Sequence, residues 1–346
     1  MSDPVRNTRK RARTRSGNAG EIEPVAGRER DEEFWYSDGN IILVARDVEF
    51  RVFKGILAEH SPVFRDMFSL PQPPPAETLS SSTADDMCPV VHLSDSPEDL
   101  RHVLRVYMPK GSPSAFFHAT PPYSYDMLSA SVRLGHKYQM SDILDNALAF
   151  LKTYHPTDFD QWSALEHYGP PGFARSRIYA IGVVNLARLT NEVGLLLMAL
   201  LVCCTIRDEA DLVHGFERED GSLERLSRDD LALCFKAKIR LIAESTNIML
   251  GMFRPEVDPG CMTRDSCARD FMVIYDELEY ARGPLTYPDV SVRAPGLTDA
   301  LDEGEPCEEC REMVLSREAS ERRAAWKKLQ DIFGLTLPQE VPEDAE

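Results

Sequence analysis

Asp38-Gly39-Asn40-Ile41-Ile42-Leu43-Val44-Ala45-Arg46-Asp47-Val48-Glu49-Phe50-Arg51-Val52-Phe53 is the stretch from which the architecture can be read. Asp38, Gly39 and Asn40 carry turn chemistry, and Ile41 to Ala45 is a short apolar, β-rich run. Arg46-Asp47 reads as the tip of a hairpin. Beyond it Val48, Phe50 and Val52 alternate with Glu49 and Arg51, the pattern of a strand with one buried face.

Two short helices follow in the C-terminal direction. Ile56 and Leu57 give the first its apolar side. Ser61-Pro62 starts the second, with a capping hydroxyl and a proline at the first helical position. Val63, Phe64, Met67 and Phe68 then recur at helical spacing. Phe64 and Met67 read as core residues, and Phe68, at the helix end, as the candidate for an exposed contact. Leu70 to Pro89 is rich in Pro and Ser and predicts a flexible insertion. Val90-Val91-His92-Leu93 reads as a third strand. Ser94 or Ser96 can cap the next helix, whose face is Leu100, Val103, Leu104 and Tyr107. After a second loop at 109–122, two more helices are expected, one with Leu128, Val132 and Gly135 on a face, the other with Ile143, Leu144, Ala147, Leu148 and Leu151. The order β-β-α-α-β-α, then α-α, is an α+β pattern: a small sheet flanked by helices.

In the N-terminal direction, order is expected to begin near Phe34-Trp35-Tyr36. Met1 to Arg30 lacks hydrophobic periodicity and cannot offset the entropy of ordering itself, so residues 1–33 read as a disordered basic tail. Arg9, Lys10, Arg11, Arg13 and Arg15 form a nuclear-import candidate. A solvated tail is the plainer reading of the same residues.

The C-terminal half reads as mainly helical. Arg177 to Leu189, Glu192 to Arg207 and Ser227 to Leu250 are the long candidates, with a capping-box spacing at Ser227 and Asp230. Leu231, Phe235, Ile239 and Ile242 are expected to form the packing stripe of the third. Such helices must pack as a bundle against the preceding block. Ser316 to Phe333 predicts a final helix with Trp326, Leu329 and Phe333 on one side. Cys261-x5-Cys267 and Cys307-x2-Cys310 leave two readings open. One is a structural zinc site, since Cys-x2-Cys lets two thiolates reach one tetrahedral ion. The other is two unrelated cysteine pairs.

Composition narrows the function. The 346 residues leave room for about two domains. A formal net charge of -18 repels phosphate backbones, which makes nucleic acid an unlikely partner of the protein's body. The longest apolar run, Val193 to Cys204, is too short to cross about 30 Å of hydrocarbon and reads as a buried core helix. The polar, basic N-terminus does not read as a secretory signal, so an intracellular protein, cytoplasmic or nuclear, with largely reduced cysteines is expected. No phosphate-binding glycine loop, His-Glu-x-x-His helix or Gly-x-Ser-x-Gly elbow is present. None of the eight histidines pairs with another at ligand spacing. A non-enzymatic, protein-binding role is the expectation.

The stretch Asp38 to Leu43, then Phe50-Arg51-Val52-Phe53-Lys54-Gly55-Ile56-Leu57-Ala58, then Ser61-Pro62-Val63-Phe64-Arg65-Asp66-Met67-Phe68, resembles the opening of a BTB/POZ domain. Val90 to Tyr107 resembles the strand and helix that follow in that fold. The likeness covers about Trp35 to Tyr154, and in particular the stretch resembles the BTB proteins abundant in mushroom-forming fungi. The sequence departs from the family where Phe53 replaces a frequent His and where 70–89 is longer than in short members.

The resemblance implies a dimerisation module that recruits other proteins, among them cullin-type ubiquitin-ligase scaffolds or transcriptional regulators. It places partner-binding residues at Trp35, Tyr36, Phe53 and Ile56, with Asp38 in a charged pocket, and Phe68 joins them from its position at the helix end. For Asp38 a turn or capping role is the alternative. The resulting division is a tail at 1–33, a BTB/POZ-like domain at 34–155 and a helical domain at 156–259. A cysteine-containing segment with a terminal helix follows at 260–335, and an acidic tail at 336–346. The leading expectation is a dimerising adaptor. The alternative is a chromatin- or transcription-associated regulator using the same surface.

Overall fold

Strands enter the sheet from both sides of the hairpin read in the sequence. The computed structural model describes residues 28–70, 88–109, 123–170, 177–254, 256–280, 287–293 and 296–338. Strand β1 (Glu29–Trp35) leads into β2 (Ile41–Ala45) and β3 (Val48–Val52). β2 and β3 pair antiparallel, with Leu43 opposite Phe50, and Arg46 turns the tip with a left-handed φ of 51°. Helices α1 (Lys54–His60) and α2 (Pro62–Ser69) follow, and β4 (Val90–Leu93) then adds parallel to β2. The sheet order is β1-β3-β2-β4. Helix α3 (Pro97–Tyr107) and the hairpin α4 (Tyr125–Tyr138) and α5 (Ser141–Thr153) complete the block. This is the α+β arrangement expected from the sequence.

One boundary differs. Glu29 to Glu33, read as part of the tail, are in β1, which runs parallel to β3. A strand as charged as Glu29-Arg30-Asp31-Glu32-Glu33 gives no β signal on its own. Its charges are satisfied from elsewhere. Asp31 is buried and accepts from the Phe34 and Glu33 amides at 2.7 and 3.0 Å, which holds an irregularity in the pairing. Its second oxygen takes Arg101 Nε at 2.6 Å, and Arg105 forks onto Glu33. Asp31 and Glu33 share a strand face, while Arg101 and Arg105 lie one helical turn apart on α3. Phe34, with no exposed surface, anchors the strand in the core.

The caps read at Ser61 and Ser96 form, whereas Ser141 opens its helix without capping it. Ser61 Oγ accepts from the Phe64 amide at 3.0 Å and donates to the Tyr138 carbonyl at 2.6 Å, so it fixes α2 to the end of α4. Ser96 and Ser124 cap α3 and α4 in the same way. Phe64 is buried and stacks on Tyr138 at 4.3 Å, in a core with Leu43, Phe50, Leu57, Leu100 and Leu104.

The rest is helical: α6 (Phe159–Ser163), a 3-10 turn at Arg177–Tyr179, α7 (Ala180–Thr190), α8 (Val193–Cys204) and α9 (Glu209–His214). A two-stranded ribbon of β5 (Phe216–Glu217) and β6 (Leu223–Glu224) precedes α10 (Arg228–Met252) and α11 (Arg264–Tyr280). The last helices are α12 (Leu297–Glu303), α13 (Glu308–Lys327) and α14 (Leu329–Phe333). Helix α8 is the centre of the bundle, buried from Leu195 to Cys204, and no helix among the described residues is long and apolar enough to cross a membrane.

The large core crosses the boundary drawn at residue 155. Leu128, Val132, Leu148 and Leu151 of α4 and α5 share it with Val184, Leu200, Trp326 and Phe333. Two helices differ from their sequence reading. The final helix begins at Glu308 and breaks after Lys327, and Trp326, Leu329 and Phe333 dock into the bundle. On α10 the stripe Leu231, Phe235, Ile239 and Ile242 is not the packing face. Phe235 and Ile239 are 41% and 72% exposed, whereas Cys234, Ala237, Leu241 and Ile248 are buried. Both faces carry apolar residues, so periodicity alone selected the wrong one.

Gly182 on α7 sits against the Tyr125 ring, and a Cβ there would overlap it. Glycine to alanine inside a helix ordinarily gains about 1 kcal/mol. Gly182→Ala is instead expected to lose about 1–3 kcal/mol through overpacking, read as a lower urea midpoint. A raised midpoint would show that α4 and α7 can separate freely.

Candidate protein-interaction surface

The residues singled out for partner binding lie where β1 ends and α1 begins. After Trp35 the chain turns, with the Gly39 amide bonding the Tyr36 carbonyl at 3.0 Å, and Asp38 stands exposed on that turn. The Tyr36 amide bonds the Arg51 carbonyl at 2.9 Å, and its hydroxyl reaches the Met108 carbonyl at 3.3 Å. These bonds hold the Tyr36 ring 4.9 Å from that of Phe53, the residue preceding α1. Tyr36, Phe53 and Ile56 are half-buried and pack on the outside of the sheet core. Trp35 is also half-buried, with the Arg30 guanidinium 4.4 Å over its ring.

Phe68 is not part of that group. It stacks on Phe64 at 5.5 Å at the far end of α2 and is half-buried, as is Met67. Between the two regions, His60 stacks on Tyr107 at 4.4 Å. The Tyr107 hydroxyl has no hydrogen-bond partner among the described residues, and burial pushes its pKa up to about 12. Arg9, Lys10, Arg11, Arg13 and Arg15 lie outside the described residues, as do most of the insertion at 70–89, most of the loop at 109–122 and the acidic end from 339.

Another face of the domain is covered within the chain. The ribbon between α9 and α10 lies on α3 and α4, where Arg218 Nη2 meets Asp99 at 2.6 Å and His102 Nε2 meets Glu219 at 2.9 Å. Glu224 accepts from Arg133 at 2.9 Å, Tyr125 at 3.0 Å and Asn185 at 2.5 Å. Burial pushes the Asp99 carboxyl above its ordinary value despite Arg218, and burial beside Glu224 keeps the Tyr125 phenol protonated. Nothing in the local sequence marks this clasp. The ribbon strands are two residues each, and the pairing spans 119 positions.

A separate cleft of about 660 Å³ lies beside α6 and α13, lined by Trp162, Tyr168, Tyr287 and several arginines. Its cations are engaged within the chain: Arg323 with Asp160 at 2.5 Å, Arg322 with Glu318 at 2.7 Å and Arg177 with the Thr205 carbonyl at 2.9 Å. Cys203, Cys204 and Cys234 lie together in the core, where burial raises the Cys203 thiol. The four remaining C-terminal cysteines, Cys261, Cys267, Cys307 and Cys310, come together elsewhere, with their sulfurs all within 4.8 Å of one another.

A four-stranded mixed sheet, a helix hairpin bearing half-buried aromatics and a ribbon clasped onto α3 and α4 make up this α+β module. Residues 36–155 match the family model of the BTB/POZ domain, so this part of the chain is a BTB/POZ domain, a protein-interaction module. No curated protein matches the chain.

Proposed function

We propose that this protein is a dimerising adaptor whose BTB/POZ domain pairs with a second copy, or with another BTB protein, and brings further proteins to that pair. The observation that carries the reading is the apolar set Tyr36, Phe53 and Ile56 at the start of α1, beside the exposed Asp38 turn. Aromatic side chains that stay half-solvated in the single chain are what an interface core recruits. The ribbon's contacts on α3 are to Asp99 and His102, and do not include Tyr36, Phe53 or Ile56. Recruitment to a cullin-type ubiquitin ligase is the finer form of the proposal. Recovery of a cullin with the affinity-purified protein supports that form, and its consistent absence removes it.

Light scattering of the full chain provides the direct test. The unsubstituted protein is expected at twice its 39.0 kDa mass, and Phe53→Asp at about the single-chain mass. Circular dichroism of the variant should retain the helical signal. An unchanged mass for Phe53→Asp removes Phe53 from the interface, and a monomeric parent protein removes the self-pairing proposal altogether.

A further inference from the structure

We propose that Cys261, Cys267, Cys307 and Cys310 hold one structural zinc ion, which fastens the start of α11 to the start of α13. Four sulfurs arranged tetrahedrally at about 2.3 Å from a common ion stand about 3.8 Å apart. Here Cys307 Sγ and Cys261 Sγ are 3.6 Å apart, and the whole set lies within 4.8 Å. The residues come from two segments separated by about 40 positions (Cys267 to Cys307), so this proximity is not a by-product of local spacing.

Local structure supports ligation at each residue. Cys261 follows a tight turn in which its amide bonds the Asp258 carbonyl at 3.0 Å, and Cys267 falls in the first turn of α11. Cys307 is the N-cap of α13 and Cys310 lies within that helix's first turn. The Cys307 amide donates to Cys267 Sγ at 3.4 Å, and the Thr263 hydroxyl lies 3.3 Å from the same sulfur. Hydrogen bonds of this kind orient ligating thiolates from outside the first shell of a metal. The N-terminal ends of two helices therefore converge on the sulfurs. Two positive dipole ends meeting at one point repel each other, and an anionic centre between them resolves the conflict. Four thiolates around a divalent zinc carry two net negative charges and provide that centre.

The donor set narrows the choice of ion. Glu308 and Glu309 are exposed, and only sulfur atoms make up the cluster. An all-sulfur tetrahedral set suits zinc or iron and excludes magnesium and calcium, which take oxygen. With all four positions filled by protein the ion has no open site, so its role is structural. The cluster around it is small, chiefly Met249, Met252, Phe271, Ile274, Leu297, Leu301 and Val314. A core of that size gains disproportionately from a metal staple.

Elemental analysis of the full chain, purified without chelator and dialysed, tests the proposal. About one zinc per chain is expected, falling several-fold or more in Cys261→Ser and in Cys310→Ser. Glu308→Gln should leave the content unchanged. Should a cysteine variant fail to fold, the unsubstituted protein still decides. Loading with cobalt(II) should give the visible absorption of a tetrahedral thiolate site. Chelation should increase hydrogen exchange at 258–274 and 305–315 while sparing the BTB/POZ strands. A zinc content near zero, bound iron in its place, absence of the cobalt spectrum, or intact disulfides among these cysteines by mass would each overturn the proposal.

Discussion

Arg218→Met is expected to lower the unfolding free energy by about 3–5 kcal/mol, the usual result of removing one partner from a buried ion pair. Arg218 and Asp99 are 9% and 7% exposed, and their contact at 2.6 Å closes the ribbon over α3 and α4. Asp126 lies 3.5 Å from the same guanidinium. Substitution strands Asp99 in a setting that already opposes its charge. The loss should therefore shrink as the pH is lowered and Asp99 takes up a proton. Asp99→Asn added to Arg218→Met should recover part of it, and a double-mutant cycle in urea isolates the pair. The rim contact of Arg46 with Asp220 offers a contrast, because Arg46 is exposed and its loss should be small. An unshifted urea midpoint for Arg218→Met would mean that the ribbon does not hold the two regions together.

His155 should give the protein a steep stability loss in mild acid. It sits buried just beyond α5, with Nδ1 2.8 Å from the Leu151 carbonyl. Burial lowers its pKa from 6.5 to about 4, and the bond to Leu151 only partly opposes that shift. Above pH 6.5 the imidazole is neutral in both the folded and the unfolded chain and contributes no pH dependence. Between pH 6.5 and about 4 the unfolded chain binds a proton that the folded chain refuses, so stability falls with pH. The full span corresponds to about 3 kcal/mol. His155→Asn should remove this part of the slope, seen in the difference between the two pH–stability curves. Parallel curves would show that His155 is protonated in the folded state.

How far the sequence reading reaches depends on the range over which each signal acts. The β2–β3 hairpin, the Ser61 and Ser96 caps and the burial of α8 are written in residues a few positions apart, and all were legible. β1 was not, because its charges make sense only beside Arg101 and Arg105, some 70 positions away. The face of α10 was misread because small buried residues, Cys234 and Ala237, hydrophobicity for hydrophobicity, compete poorly with Phe235 and Ile239. The ribbon clasp escaped notice for the same reason as β1, and Gly182 is recognisable as a contact point only once Tyr125 is in place. Of the interaction residues, Tyr36 and Phe53 do come together, while Phe68 stands apart with Phe64. The cysteine spacing suggested a pairing whose spatial convergence only the fold could supply.

The shared core has a consequence for how the protein is made. Leu148 and Leu151 belong to one apolar core that is completed by Trp326 and Phe333. Those residues leave the ribosome roughly 180 positions later, an interval of about 10–40 s at ordinary translation speeds of about 5–20 residues per second. Throughout that time the BTB/POZ segment is fully synthesised, but the core it shares with the later helices is incomplete. The nascent chain therefore invites chaperone binding until its final helix arrives.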